Sequence, residues 1–329
     1  MAVPGNFAFA GSSGLLGFFP PDPRPVRRRA DRPRAALSAL VRVMVFPAML
    51  AGHAATAFAD SAPQSDSALA NWISDWSERV DEAQATQPNW MTLLVTTTPR
   101  LKQELRYDQY FETLGNGGSL DNYGAGKGVE FIPTTSSDIQ ITLPPYERRF
   151  GKSRANGFGD WPFLLIKQRF LSANKAGGNY IVTGFFGVQA PSGSRYYTTH
   201  AWILTPTLAA GKGFGNFDVQ ATFGIPVPLA HENTIGTSEV VNIALQYCVA
   251  KWFWPEFEMN MTHWNDGLRA GKTQIFLTSG MTVGRFPITR NVKVVVGAGY
   301  QFAVAPARTL SPLTPAYQHA WILTARLTF

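Results

Sequence analysis

The chain has 329 residues and a formal charge of +7, and 16% of its residues are charged, where soluble globular domains carry about 25%. Seven of the 29 basic and two of the 22 acidic residues lie in residues 1–59, which leaves 22 against 20 and excludes a nucleic-acid-binding face. The single cysteine, Cys248, excludes a disulfide framework and a cysteine-based zinc site within one chain. Beyond the N-terminal region no run of about 18 apolar residues predicts a helical membrane span.

The N-terminal region has the order of a secretory signal peptide. A basic cluster at residues 27–34 precedes an alanine-rich apolar stretch at 35–59, which ends in Ala57-Phe58-Ala59. We expect an N-terminal extension and signal peptide over residues 1–59, with cleavage after Ala59. The alternative is a single membrane anchor, which Arg42 and Pro47 disfavour because they interrupt the apolar run.

Residues 60–90 form the next segment, a predicted periplasmic leader. Trp72, Trp76 and Val80 follow one another at the spacing of one helical face. The spacing predicts a short amphipathic helix, placed either in the periplasmic mouth of the following domain or on the membrane surface. A frayed leader is the alternative.

From Leu93 onward the period of the sequence changes to two. In the last segment Trp321, Leu323, Ala325, Leu327 and Phe329 alternate with mostly polar residues, as in a strand with one apolar face. In earlier segments Gly and Ala accompany the polar face. A soluble sandwich also alternates, but small residues on the polar side favour a closed barrel whose interior is crowded.

Residues 91–329 are therefore predicted to form an all-β domain, a transmembrane antiparallel up-and-down β-barrel of about twelve strands with a short N-terminal periplasmic helix. An even count places both chain ends in the periplasm, and the predicted connections alternate between short and long, as that orientation requires. The predicted strands are 93–111, 127–134, 139–147, 159–172, 179–190, 200–211, 216–228, 236–250, 252–265, 271–285, 291–304 and 315–329.

Charged residues of both signs fall on the predicted inner faces. Facing lipid, each basic residue would cost roughly 2–4 kcal/mol at mid-depth, so this set is expected to line the lumen. It predicts a polar constriction that sorts solutes by size and charge. The alternative is a salt-bridge filling that holds the barrel shut. The residues are Arg100, Lys102, Glu104, Arg106, Asp108, Lys167, Arg169, Asp218, Glu256, Glu258, Lys293 and Arg326.

Aromatic residues cluster near the predicted strand ends. This position predicts interfacial girdles, with ligand stacking as the alternative. The girdle residues are Trp161, Trp202, Trp252, Trp254, Trp264, Tyr317 and Trp321.

No enzyme, metal site or cofactor is predicted. The histidines fall at or beyond strand ends without a ligand-like spacing. The best nucleophile pair, His263 with Ser279, would lie roughly 20 Å apart along neighbouring strands, too far for proton transfer. Cys248, on a predicted inner face, is expected to be a small packing residue.

Several turn motifs carry a family resemblance. The segments at residues 157–170, 187–194 and 202–218 resemble those of the outer-membrane family named for the meta-pathway of phenol degradation, over about residues 93–329. The resemblance implies a barrel that admits hydrophobic or aromatic solutes and supplies no catalytic residues. The final strand, with Leu327 and Phe329, resembles the signal that barrel-assembly machinery reads on outer-membrane proteins.

These patterns together predict an exported protein of a Gram-negative outer membrane, in contact with lipid and lipopolysaccharide and favoured as a monomer. Its expected function is a channel or facilitator for small, hydrophobic or aromatic solutes. The alternative is a closed structural or surface-binding barrel that acts through its extracellular loops.

Overall fold

The computed structural model describes residues 63–151, 154–308 and 315–329. The predicted signal peptide lies outside these ranges. Residues 63–77 and 78–329 fall into separate compact units, and the helix α1 (Pro63–Ala85) includes the boundary between them. In the first unit the rings of Trp72 and Trp76 meet edge to face, with centroids 4.8 Å apart. No helix among the described residues is long and apolar enough to cross a membrane.

The second unit is built almost entirely of strands, with a short helix α2 (Glu232–Ile235) and a 3-10 turn (Gly267–Arg269) in its connections. The strands are β1 (Glu104–Thr113), β2 (Ser119–Gly124), β3 (Gly128–Thr134), β4 (Ser137–Thr142), β5 (Tyr146–Phe150), β6 (Ala155–Phe158), β7 (Trp161–Ala173), β8 (Tyr180–Ala190), β9 (Ile203–Phe214), β10 (Phe217–Gly224), β11 (Val227–Pro228), β12 (Ser238–Tyr247), β13 (Phe253–Trp264), β14 (Thr273–Pro287), β15 (Lys293–Ala305) and β16 (His319–Thr328).

These segments make a closed antiparallel barrel of twelve strands, as predicted. β1 pairs with β16 from Glu104↔Thr328 to Thr113↔His319, which joins the first strand to the last. Four barrel strands are each made of two segments in line: β2 with β3, β4 with β5, β6 with β7, and β10 with β11. Pro144 and Pro145 fall in the break between β4 and β5, where a missing N–H costs no ladder bond.

Burial follows the period of two. Along β16, Ala320, Ile322, Thr324 and Arg326 are buried, while Trp321 between them is 59% exposed. Because a strand directs alternate side chains to opposite faces, the barrel has a polar interior and an apolar exterior. Large apolar side chains at mid-strand, such as Leu208, Ile243, Phe257 and Met281, are exposed on the outside.

The two rims of the barrel differ. We call the rim where β1 begins and β16 ends the near end, and the opposite rim the far end. The near-end turns are 135–136, 174–179, 215–216, 248–252 and 288–292, whereas the longest fully described connections, 191–202, 229–237 and 265–272, lie at the far end. This difference agrees with the predicted strand parity.

The first predicted strand, 93–111, was placed too early. β1 begins at Glu104, and residues 86–103, called the plug below, run without strand pairing through the lumen. Leu93 and Leu94 have no exposed surface. A closed sheet offers no free edge, so this segment, although rich in β-branched residues, cannot be added to the barrel wall.

Candidate functional site in the lumen

The plug enters and leaves the lumen at the near end. The Ser172 hydroxyl donates to the carbonyl of Thr86 (2.7 Å) at the entrance, and the Lys102 N–H donates to Asp138 Oδ2 (2.8 Å) at the exit. Between these points Leu94 and Val95 reach an apolar cluster that includes Tyr317 from a far-end connection. The plug is therefore a loop inserted from the near end with its apex toward the far end.

Carboxylates and one amide on neighbouring strands hold the N–H groups of the plug. Since an extended chain in a closed barrel has no strand partner, its main-chain groups must be satisfied by side chains. The donations are Met91 to Gln246 Oε1 (3.1 Å), Leu94 to Glu256 Oε1 (2.9 Å), Val95 to Glu258 Oε1 (2.8 Å) and Thr96 to Glu258 Oε2 (2.6 Å).

Arginines hold the carbonyl groups of the same stretch. Hydrogen bonds to charged groups are stronger than neutral ones, so both sets fix the plug by its main chain. The donations are Arg285 Nη2 to Trp90 (2.5 Å), Arg100 Nη1 to Trp90, Arg326 Nη1 to Thr92, Arg326 Nη2 to Leu93 (2.8 Å) and Arg106 Nη2 to Leu94 (2.5 Å).

Glycines provide the room for the side chains of the plug. Gly280 and Gly299 are paired across β14 and β15, and Leu94 packs directly on both. A Cβ on Gly299 would lie 2.7 Å from Leu94 Cδ1. On β9, a Cβ on Gly211 would lie 2.6 Å from the indole of Trp90. These positions accept the plug only because they lack a side chain.

A buried ion network lies beside the plug exit. Lys102 Nζ lies 2.6 Å from Glu104 Oε1 and 3.0 Å from Glu130 Oε1. Lys167 Nζ lies 2.9 Å from Glu130 Oε2 and 3.4 Å from Asp138 Oδ2. Alternating signs let each buried charge face an opposite one, which offsets the cost of its desolvation.

A second pair lies on β1. Arg106 binds Asp108 through two hydrogen bonds, Nε to Oδ1 (2.9 Å) and Nη2 to Oδ2 (2.7 Å), and Thr324 Oγ1 also donates to Asp108 Oδ1 (2.6 Å). Arg106 thus joins the barrel wall to the plug.

The predicted lumen residues are placed as follows. All except Arg169 and Lys293 are buried inside the barrel. Arg169 is half-buried at the near end, where it donates to the carbonyls of Ala83 (2.9 Å) and Thr135 (2.5 Å). Lys293 is exposed as the first residue of β15, because a strand end extends past the lumen. Arg100 and Lys102 belong to the plug and not to the first strand.

Apolar layers close the lumen on both sides of the charged layer. The near-end layer is Trp90, Met91, Ile181, Trp254 and Val295. The far-end layer includes Leu94, Val95, Tyr110, Leu114, Leu120, Tyr197, Phe276, Tyr317 and Ile322. A small pocket beside the plug is lined by Thr97, Leu165, Phe185, Gly187, Thr205, Thr207 and Thr222.

Three of the predicted girdle residues are inside instead. Trp254 shares the inner face of β13 with Glu256 and packs in the near-end layer. Trp264 is buried under Arg269, whose guanidinium carbon lies 4.6 Å from the indole centre. Burial lowers the pKa of Arg269. Strand parity, and not distance from a strand end, decides which aromatics face outward.

Tyr317 is the third girdle residue found inside. Its ring lies 4.7 Å from that of Phe276, and its hydroxyl donates to Gln301 Oε1. Burial raises the pKa of the Tyr317 phenol well above its usual range. Of the remaining girdle residues, Trp202, Trp252 and Trp321 are exposed and Trp161 is half-buried.

The other sequence candidates have ordinary surroundings. His263 lies opposite Thr273 (2.8 Å between Nδ1 and Oγ1), whereas Ser279 lies opposite Phe257, six residues along the hairpin. Cys248 is half-buried in a near-end turn and packs against the near-end layer. Over residues 63–151, 154–308 and 315–329 no three His, Cys, Asp or Glu side chains are grouped to hold a metal ion.

Several residues that bind or accommodate the plug, or join the buried ion network, were not predicted from the sequence. Glu130 and Asp138 lie in short strands, where alternation is hard to recognise. Arg285 has a left-handed backbone (φ +63°) next to a register shift in β14, which turns it toward the plug. Gly280 and Gly299 were on the polar face by parity, but their role depends on what occupies the lumen.

The fold and lumen define a class: a closed twelve-stranded antiparallel barrel with an apolar exterior, filled by a segment of its own chain. No family model and no curated protein matches the chain.

Similar solved structures include porins and an outer membrane channel. The KdgM porin, solved in complex with disordered oligogalacturonate, has 11% identity and a TM-score of 0.41, with 68% of this chain and 99% of the other covered. An outer membrane channel from Pseudomonas putida F1 has 13% identity and a TM-score of 0.44, with 68% and 92% covered. The NanC porin has 6% identity and a TM-score of 0.41, with 69% and 98% covered. At these values, function must be argued from the residues of this chain.

Proposed function

We propose that this protein is an outer-membrane channel for small solutes whose lumen is closed by the plug, and that the plug must shift for a solute to pass. The observation that carries the proposal is the combination of a charged, polar barrel interior with a plug that forms no strand. A signal peptide over residues 1–59 would export the chain, and the near end would face the periplasm.

The exterior supports the membrane location. Mid-strand side chains that contact solvent in the isolated chain are large and apolar, with Leu208 at 55% and Met281 at 44% exposure. Water would oppose such a surface over a whole barrel, whereas hydrocarbon accepts it. The β1–β16 ladder closes the sheet, so the described part of the wall presents no free strand edge to lipid.

The way the plug is held supports its movement. Over residues 90–96 its main chain binds wall side chains. A shift of residues 90–96 would therefore break side-chain hydrogen bonds without opening the barrel ladder. The plug could therefore open as a unit separate from the barrel strands.

The far-end layer supports hydrophobic or aromatic solutes. Tyr110, Phe276 and Tyr317 form an apolar patch between the far-end connections and the plug apex. The family resemblance at residues 157–170 and 187–194 suggests the same solute class.

A closed structural or surface-binding barrel is the second candidate. The filled lumen favours it, because apolar layers lie on both sides of the charged layer. In that case the far-end connections would carry the function and the plug would never leave.

A reversible lock on the plug separates the two candidates. A Cβ at position 299 would lie 2.7 Å from Leu94 Cδ1, so the side chains of cysteines at positions 94 and 299 would be neighbours. We expect Leu94→Cys with Gly299→Cys, in a Cys248→Ser background, to form a disulfide that fixes the plug. Solute flux and planar-bilayer conductance are measured with oxidised and reduced protein, with the Cys248→Ser protein as control.

The channel proposal expects flux that falls at least about tenfold on oxidation and returns on reduction. Equal flux in both states, with the disulfide formed quantitatively, would mean that solutes do not pass the plug. No flux in any state, including the Cys248→Ser control, would support the closed barrel.

A further inference from the structure

The near-end rim carries exposed positive charge without exposed negative charge in its turns. The five near-end turns contain no Asp or Glu. Cations in or next to these turns are exposed, and together we call them the near-end collar: Lys175, Lys212, Lys251, Arg290 and Lys293.

Carboxylates at this end of the barrel wall point inward. Glu104, Asp138, Asp218 and Glu256 are all buried in the lumen, so they do not neutralise the collar at the surface. The helix α1 carries exposed acids, including Asp81 and Glu82.

The end of α1 lies on one side of the rim. Asn174 Nδ2 donates to the Ala85 carbonyl (2.9 Å), which fixes the helix end at the turn that holds Lys175. Lys251, Arg290 and Lys293 belong to turns further round the barrel, between β12 and β15. We therefore take these three as the testable part of the collar.

An aromatic band adjoins these cations. Trp252 is 51% exposed, and its ring lies 6.5 Å from that of the exposed Phe286. Phe214 and Tyr247 are also exposed at the near ends of their strands. Exposed aromatics of this kind mark the boundary between hydrocarbon and headgroups. The collar cations lie one to a few residues nearer the rim than this aromatic band. Their long side chains would therefore reach the depth of the lipid phosphates.

The far end differs in charge. There the exposed or half-buried acids Glu232, Glu239 and Asp266 are mixed with cations such as Arg195 and Arg308. The near-end turns therefore lack acidic residues, whereas the far end mixes charges of both signs.

We propose that the near-end collar binds the phosphate groups of anionic phospholipids in the leaflet that surrounds the near end. The proposal rests on the membrane-spanning barrel of the proposed function. Surface cations attract anionic lipid additively and within a Debye length, so the preference should depend on charge count and on salt.

The test compares lipid enrichment around matched variants of the full chain. The protein is reconstituted in nanodiscs of equimolar phosphatidylcholine and phosphatidylglycerol, and bound lipid is measured by native mass spectrometry. The near-end triple variant is Lys251→Gln, Arg290→Gln and Lys293→Gln. The control triple variant, Arg154→Gln, Arg195→Gln and Arg308→Gln, removes the same charge from exposed residues of the far end.

The unmodified chain should retain more phosphatidylglycerol than phosphatidylcholine. In the near-end variant the ratio of the two bound lipids should fall at least about fivefold, whereas the control variant should keep the ratio of the unmodified chain. Raising ionic strength should remove the preference of the unmodified chain, a measurement that needs no variant. Equal retention of both lipids by the unmodified chain, or an equal loss in both variants, would overturn the proposal.

Flux through the lockable plug is recorded on the same preparations. If the unmodified chain conducts solute but shows no preference for phosphatidylglycerol, the collar proposal fails and the channel proposal stands. If it shows the lipid preference but conducts no solute, the channel proposal fails and the collar proposal stands.

Discussion

Lys167 tests whether the interior charges depend on one another. Its side chain has no exposed surface and lies between Glu130 and Asp138. Lys167→Met would leave these carboxylates with one fewer buried cation, so we expect a loss of about 3–5 kcal/mol in the free energy of unfolding. Urea unfolding in detergent measures it.

The exposed Lys175 supplies the control for this prediction. Lys175→Met should change stability by less than about 0.5 kcal/mol. Adding Asp138→Asn to Lys167→Met should restore part of the loss, since it removes a stranded charge. A loss below about 1 kcal/mol for Lys167→Met would mean that water replaces the ammonium group.

For most residues the sequence predicted whether the side chain faces the lumen or the exterior. Alternate residues of a strand face opposite sides, so the assignment needs no knowledge of neighbouring strands. Glu256, Glu258 and Arg326 followed it. Trp254 and Tyr317 did not fit the girdle because aromatic residues suit both an interface and a crowded interior. For Trp254 strand parity decides between the two, because it shares the inner face of β13 with Glu256.

The plug offers a prediction about one segment of the chain. Glu256→Gln with Glu258→Gln keeps the shape of both side chains but removes their charge from the hydrogen bonds to Leu94, Val95 and Thr96. It also abolishes one of the two bonds that Glu258 accepts, because an amide has a single acceptor oxygen. Charge-assisted bonds are about twice as strong as neutral ones. We expect hydrogen exchange at these three amides to become roughly 10–100-fold faster, with the barrel strands unchanged.

The matched control is Glu232→Gln with Glu239→Gln, which removes the same charge at the far end without touching the plug. Plug amides that exchange as slowly in the variant as in the unmodified chain would show that apolar packing on Gly280 and Gly299 holds the plug by itself.

The plug was also the element that the sequence described least well. Residues 93–98 are two leucines, a valine and three threonines, a composition that suits strands, and Pro99 follows. All of them except the half-buried Thr97 are buried inside the lumen, so no exposed face gives them an alternating pattern. Composition therefore predicted a strand here, which was wrong, because the actual partner is a set of side chains from distant strands that has no signal in the local sequence.

Barrel closure was predictable, whereas the state of the lumen was not. Twelve alternating segments with short turns at one rim have few other arrangements that bury their polar faces. The charged residues of β1, β7 and β13 line an open constriction only if residues 86–103 are not in the lumen. This segment is far in sequence from β7 and β13, so the local pattern of those strands does not reveal it. Of the predicted constriction residues, Arg106, Glu256, Glu258 and Arg326 bind the plug, whereas Lys102, Glu104 and Lys167 belong to the buried ion network.

The exterior provides the final prediction. Leu208 lies at mid-height of β9 and is 55% exposed, while Ile288 lies in a near-end turn and is 60% exposed. If the barrel spans a membrane, Leu208→Arg must place a cation in hydrocarbon and should cost roughly 2–4 kcal/mol of folding free energy in lipid vesicles, against about 0–1 kcal/mol for Ile288→Arg. Equal small costs at both positions would mean that water, and not lipid, surrounds the barrel. The comparison uses two equally exposed residues, so the difference between them reports depth alone.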